Sequence, residues 1–103
     1  MMFTPEQIDR DIRGSPVMNF AYYFCMDFAH IDSDLYESAK CVLDNLKPRL
    51  KPGSILAFDE IWAHSNYQDY EAKAFAEFLN DTGFHYHCIG HFSPDKAGFK
   101  LLR

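Results

Sequence analysis

Long apolar runs are missing from this chain of 103 residues. The longest unbroken one, residues 20–26, holds seven residues, against the roughly 20 that a membrane-spanning helix needs. The opening residues show no basic stretch leading into an apolar one, so no secretory signal is expected. Basic charge is also scarce: ten Lys and Arg stand against fifteen Asp and Glu, a formal net charge of −5. Nucleic-acid affinity rests on clustered cations that collect phosphates, so no nucleic-acid partner is expected, and no membrane. Gly and Pro number five each, too few for a linker or a collagen-like repeat. The three cysteines, Cys25, Cys41 and Cys88, form no C-x-x-C pair. Such an odd, scattered set argues against a disulfide framework and for free thiols in a reducing, cytoplasmic setting.

Aromatic side chains are plentiful, with one Trp, six Tyr and ten Phe, and 48% of the chain is hydrophobic. That composition excludes disorder. A chain of this size buries roughly 60–70% of its unfolded surface, which makes a thin core.

The pattern predicts three helices and four strands. Thr4-Pro5-Glu6-Gln7 has the form of a capping box with Pro at the first helical position. The helix it opens stops at Gly14-Ser15-Pro16. With only Phe3, Ile8 and Ile12 to bury, it reads as a surface helix that frays. Residues 26–31 read as a strand leading into Asp32-Ser33-Asp34. Leu35, Ala39, Val42, Leu43 and Leu46 then recur on one helical face. Lys51-Pro52-Gly53 stops that helix, and residues 54–59 read as a buried strand with an acidic tip. A further helix, about 68–81, has Ala72, Phe75, Ala76 and Leu79 inward, and Asp69, Lys73 and Glu77 paired at i, i+4 outward. Gly83 ends it. Residues 84–90 and 99–102 close the chain as an antiparallel hairpin, with turn chemistry and Gly98 between them. Strands alternating with helices imply an α/β fold with parallel βαβ units.

Two acidic clusters, Asp32-Ser33-Asp34 and Asp59-Glu60, therefore follow the carboxyl ends of two parallel strands, where ligands bind in open α/β sheets. Converging carboxylates need a divalent cation such as Mg²⁺, or a proton, to offset their repulsion. Read blandly, Ser33 and Asp34 cap a helix and Asp59-Glu60 is a solvated strand end. His64 and Trp62 lie in the loop beyond; His64 can approach a substrate, and Trp62 reads as an acceptor-pocket aromatic or equally as a core or lid aromatic. His85, His87 and His91 gather near Cys88, and His85 and His87 share one strand face as a two-ligand metal arrangement or as plain exposed positions.

The stretch His30-Ile31-Asp32-Ser33-Asp34-Leu35-Tyr36-Glu37-Ser38, followed by Lys51-Pro52-Gly53 and Phe58-Asp59-Glu60, resembles the second half of a class I S-adenosylmethionine-dependent methyltransferase. More narrowly it is similar to the macrocin O-methyltransferase family, which methylates sugar hydroxyls and carries an Asp-x-Asp-Leu-Tyr-x-Ser motif. Glu71-Ala72-Lys73-Ala74-Phe75 fits the same resemblance, which covers about residues 26–103 and leaves 1–25 as a poorly matched extension of a single domain.

The resemblance implies a partial Rossmann-like methyltransferase fold: parallel strands with crossover helices and a C-terminal antiparallel β-hairpin. It makes Asp32 a Mg²⁺ ligand and the catalytic general base, and Asp59 and Glu60 the remaining ligands, with Glu60 standing where the family has Asp. Asp34, Tyr36 and Ser38 would orient the helix. The cofactor would be S-adenosylmethionine and the acceptor a small-molecule hydroxyl. The family's glycine-rich cofactor turn has no counterpart, since the five glycines are scattered. The chain is therefore expected to be a truncated, split or degenerate piece, inactive alone, and a homodimer or a complementing partner chain is expected across its bare strand edge unless residues 17–24 cover it. The competing expectation is a non-catalytic interaction or metal-binding module.

Overall fold

The structure is a computed structural model that describes residues 3–18, 29–31, 36–58, 61, 71–92 and 96–103. These residues form an α/β domain. Helix α1 (Pro5–Arg13) starts as its sequence requires: Thr4 is extended, and its hydroxyl accepts the Gln7 N–H at 3.1 Å. Ile8 and Ile12, one turn apart, are fully buried. At the start of the helix, Phe3 N–H donates to Asn80 Oδ1 at 2.8 Å and Asn80 Nδ2 donates to Phe3 O at 3.1 Å. The expected fraying surface helix is instead a docked part of the core. The sequence segment has few apolar residues, but they fall on one face and a distant Asn ties down the end.

Strands β1 (Ala29–Ile31) and β2 (Ile55–Phe58) pair in parallel, with helix α2 (Tyr36–Leu46) and a 3₁₀ turn (Lys47–Arg49) between them in sequence. Helix α3 (Glu71–Thr82) then leads to β3 (His85–Phe92) and β4 (Lys96–Leu102), an antiparallel hairpin. The sheet order is β1-β2-β4-β3, because β4 inserts antiparallel beside β2. Among the described residues β1–β2 is the one parallel pair, so three of the four strands make an antiparallel unit. The hairpin is tighter than its turn chemistry suggests: residues 96–98 belong to β4, and Gly98 pairs with both Ala57 and Gly90 rather than closing the turn.

Helices α2 and α3 pack together, and a shared core joins α1, α2, α3 and one sheet face. Phe58, Phe75 and Phe99 meet at its centre, with ring centroids 4.9 Å apart for 58–75 and 4.8 Å for 75–99. Among the described residues, Phe3, Phe58, Phe75, Phe78 and Phe99 are all buried in this core. Val42 departs from the expected stripe of α2; it is exposed while Ala39 and Leu43 are buried. Val17 pairs in parallel with His91 at the outer edge of β3, away from β1. Residues 19–24 of the segment expected to cover β1 lie outside the described residues. No helix among the described residues is long and apolar enough to cross a membrane.

Candidate functional site

Asp32, Asp59, Glu60, Trp62 and His64 lie outside the described residues, as does Asp34. Their anchors do not. Ile31, the last residue of β1, stands opposite Phe58, the last residue of β2, in a parallel register that runs back through His30 with Ala57. Asp32 and Asp59 are the next residues in sequence after this pair. Ile61, just beyond Glu60, is fully buried.

Two further residues open the helices that follow β1 and β2 in sequence. Glu71 opens α3 and is fully buried, which is rare for a carboxylate. It sits in the first turn, where the helix dipole favours negative charge. Sequence reasoning placed it within the family match, inside a helix expected from about residue 68, without assigning it a role. Tyr36 opens α2, and its hydroxyl donates to Glu77 of α3. Lys73 Nζ lies 4.4 Å from the centroid of the same ring, and Lys40 Nζ is 3.5 Å from the same Glu77 oxygen. The bond to Glu77 raises the Tyr36 phenol above its ordinary range. Of the charges expected to pair along α3, Asp69 lies outside the described residues, and Lys73 and Glu77 turn to α2, where a phenol and a lysine meet Glu77.

The three histidines of the expected cluster have different neighbours. His85 packs edge-on against Phe3, centroids 5.8 Å apart. His91 Nδ1 lies 3.0 Å from Ser15 Oγ, and Ser15 Oγ donates to Ile12 O at 2.6 Å, so the imidazole is the donor to Ser15. His87 lines a cleft of about 280 Å³ between the end of α1 and β3, shared with Asp11, Ser15, Tyr86 and Cys88. Tyr86 donates its hydroxyl to Asp11 Oδ2 at 2.5 Å. Burial pushes the Cys88 thiol up from its ordinary value, which keeps it protonated and a poor nucleophile. Among the described residues no three His, Cys, Asp or Glu side chains are placed to hold a metal ion, so His85 and His87 gain no third ligand there.

No family model, curated protein or solved structure matches the chain.

Proposed function

We propose that this chain is the metal- and acceptor-binding part of an O-methyltransferase-like domain of the cytoplasm, acting on a sugar or small-molecule hydroxyl. The observation that carries the reading is the parallel register of Ile31 with Phe58. Neighbouring strands run about 4.8 Å apart, and each acid follows its anchor by one peptide step of about 3.8 Å. In sequence Asp32 follows Ile31 and Asp59-Glu60 follows Phe58, and the pairing of those two anchors supports a shared site. The parallel pair, the intervening helix and the terminal hairpin support this reading of the α/β fold, in which three of the four strands make an antiparallel unit.

Three carboxylates make a hard, oxygen-only donor set, which suits Mg²⁺ in a chain of net charge −5. A divalent cation there would ease loss of a proton from a hydroxyl. On this reading Asp32 would be the base that takes it, and Trp62 and His64 would be the residues to contact the acceptor. S-adenosylmethionine fits less well. Gly14 caps α1, Gly53 and Gly83 hold positive φ in turns, and Gly90 and Gly98 lie in strands. None forms a glycine-rich turn for that cofactor, so no methyl-transfer step is assigned to the chain by itself.

Thermal unfolding with Mg²⁺ and with EDTA tests the reading, since a ion that binds only the folded state raises stability. Mg²⁺ should raise the midpoint for the native chain and not for Asp32→Asn or Asp59→Asn. No rise, or an equal rise in Asp32→Asn, overturns it.

A second reading, a non-catalytic interaction module, draws on the sheet order. β1 is the end strand, and among the described residues β2 alone pairs with it. A bare strand edge is a template for a second copy or a complementing chain. A clean monomer in sedimentation at high concentration defeats this reading.

A further inference from the structure

We propose that the end of the domain where β2 begins and β4 finishes carries a pocket for a small phosphate monoester with an apolar body. The proposal stands apart from the metal reading above and uses none of its residues.

Three segments meet at this end: residues 47–55, 80–85 and 100–103. Ile55 pairs with Lys100, and Leu102 pairs with His85. Gly53 N–H donates to Leu101 O at 2.7 Å, and Leu101 N–H donates to Ser54 O at 2.8 Å. Five of the ten cations fall in these segments, namely Lys47, Arg49, Lys51, Lys100 and Arg103, against one of the fifteen acids, Asp81. A chain of net charge −5 thus gathers half of its cations at one end, and a cleft there concentrates their field on an anion.

The cleft is present. A cavity of about 300 Å³ lies between Leu50, Lys51 and Pro52 on one side and residues 82–84 on the other, with Arg103 beside them. That is the small end of the range for small-molecule sites. No acidic side chain lines it. Among the described residues, neither the Lys51 nor the Arg103 side chain makes an ion pair or hydrogen bond, so both charges are open to a ligand. The walls are set in advance: Gly53 and Gly83 turn the chain with φ of 98° and 80°, and Ser54 N–H donates to Lys51 O at 2.9 Å. Phe84 stacks on Phe78, centroids 6.0 Å apart, and with Leu50 gives the cavity an apolar side. A phosphate monoester brings close to two negative charges and three acceptor oxygens. One guanidinium and one ammonium match that head better than they match a carboxylate of single charge. The apolar body lies along Leu50 and Phe84.

The competing explanation is that the two cations only offset the partial negative charge at the C-terminal end of α3. Two of the last carbonyls are already satisfied there, because Thr82 Oγ1 donates to Phe78 O at 2.8 Å and Gly83 N–H donates to Leu79 O at 2.9 Å. That explanation allows a small loss of stability on removing either cation, and no ligand.

Calorimetric titration of the full chain with phenyl phosphate, inorganic phosphate, benzoate and phenol makes the test, with amide NMR spectra to locate the ligand. Phenyl phosphate should bind and shift the amide signals of Lys51, Gly83 and Phe84. Inorganic phosphate, which lacks the apolar body, and benzoate, which lacks the second charge, should each bind about tenfold more weakly. Phenol should not bind. Lys51→Gln and Arg103→Gln should each weaken phenyl phosphate about tenfold, as expected for one charge-assisted hydrogen bond. Lys47→Gln removes the same charge from the same end without touching the cavity lining, and should change affinity by less than about twofold because solvent and salt screen it. Failure of phenyl phosphate to bind overturns the pocket. Benzoate binding as tightly as phenyl phosphate overturns the phosphate assignment, and an equal loss in Lys47→Gln and Lys51→Gln shows diffuse attraction in place of a site.

Discussion

Met18 lies so close to Gly90 that a β-carbon at position 90 would stand 2.6 Å from Met18 Cγ and 2.8 Å from Pro16 O. The Met18 side chain could swing aside, but Pro16 O could not. His91 N–H donates to it at 2.9 Å, and Met18 N–H returns a bond to His91 O at 2.6 Å. Residues 16–18 are thus strapped to the outer edge of β3, beside the bulge between Cys88 and Gly90. Gly90→Ala should destabilise the fold by about 1–3 kcal/mol, the usual range for overpacking. Gly14→Ala is the control, since its added carbon meets nothing nearer than 3.7 Å; urea denaturation should show no loss there.

Helix α1 should unfold with the sheet and not before it. Ile8 is fully buried in the cluster that includes Phe75 and Phe99, so Ile8→Ala should cost about 2–5 kcal/mol. Asn80→Ala removes two hydrogen bonds to Phe3 at a more exposed place, and should cost less, about 0.5–1.5 kcal/mol for each bond. Equilibrium unfolding of Ile8→Ala followed by far-UV dichroism and by tyrosine fluorescence should give coincident curves. An unchanged fluorescence midpoint would mean that α1 detaches alone.

The difference between a fraying and a docked α1 shows where sequence reasoning reaches its limit here. Local signals were sound: Thr4 caps, Gly83 terminates α3 with φ 80°, and the apolar run through Leu56, Ala57 and Phe58 marks a buried strand. What failed depended on partners far along the chain. Asn80 lies 77 residues from Phe3, and Glu77 lies 41 residues from Tyr36. No helical periodicity could reveal that Glu77 prefers that phenol to Lys73. Gly98 misled in the opposite way, because a glycine beside turn residues suggests a turn, whereas its place in mid-strand faces Ala57 and Gly90. For the candidate site, the acidic strand ends were legible as motifs. The register that sets Ile31 beside Phe58 was not, because a one-residue slip of so short a strand leaves the sequence pattern almost as good.

Cys41 and Cys88 should differ sharply in reactivity. Cys41 is exposed, whereas Cys88 is buried, its thiol pushed up by desolvation, and its Sγ lies 3.8 Å from Gly90 O. Thiolate is the reactive form, and access sets the rest. In a Cys25→Ser background, Ellman's reagent should modify Cys41 at once and Cys88 only as the fold opens. Gly90→Ala should speed the second phase by loosening the strap beside Cys88. Equal rates for the two thiols would contradict the burial.

The Tyr86–Asp11 contact predicts loss of stability in alkali. Tyr86 is half-buried, and its phenol is raised well above the ordinary value of 10.0, first by desolvation and then by the bond to Asp11. Below pH 10.0 folded and unfolded chains both hold this proton, so the contribution is complete. Above it the unfolded chain ionises first and binds fewer protons than the folded one, so stability falls as pH rises. Tyr86→Phe removes that term. It should cost about 0.5–1.5 kcal/mol at neutral pH for the lost hydrogen bond, and flatten the decline in alkali. Tyrosinate absorbance gives a second readout, because one of the six tyrosines should ionise only when the native fold is lost. If Tyr86→Phe and the native chain lose stability with equal slopes in alkali, the buried phenol is not the source of the pH dependence.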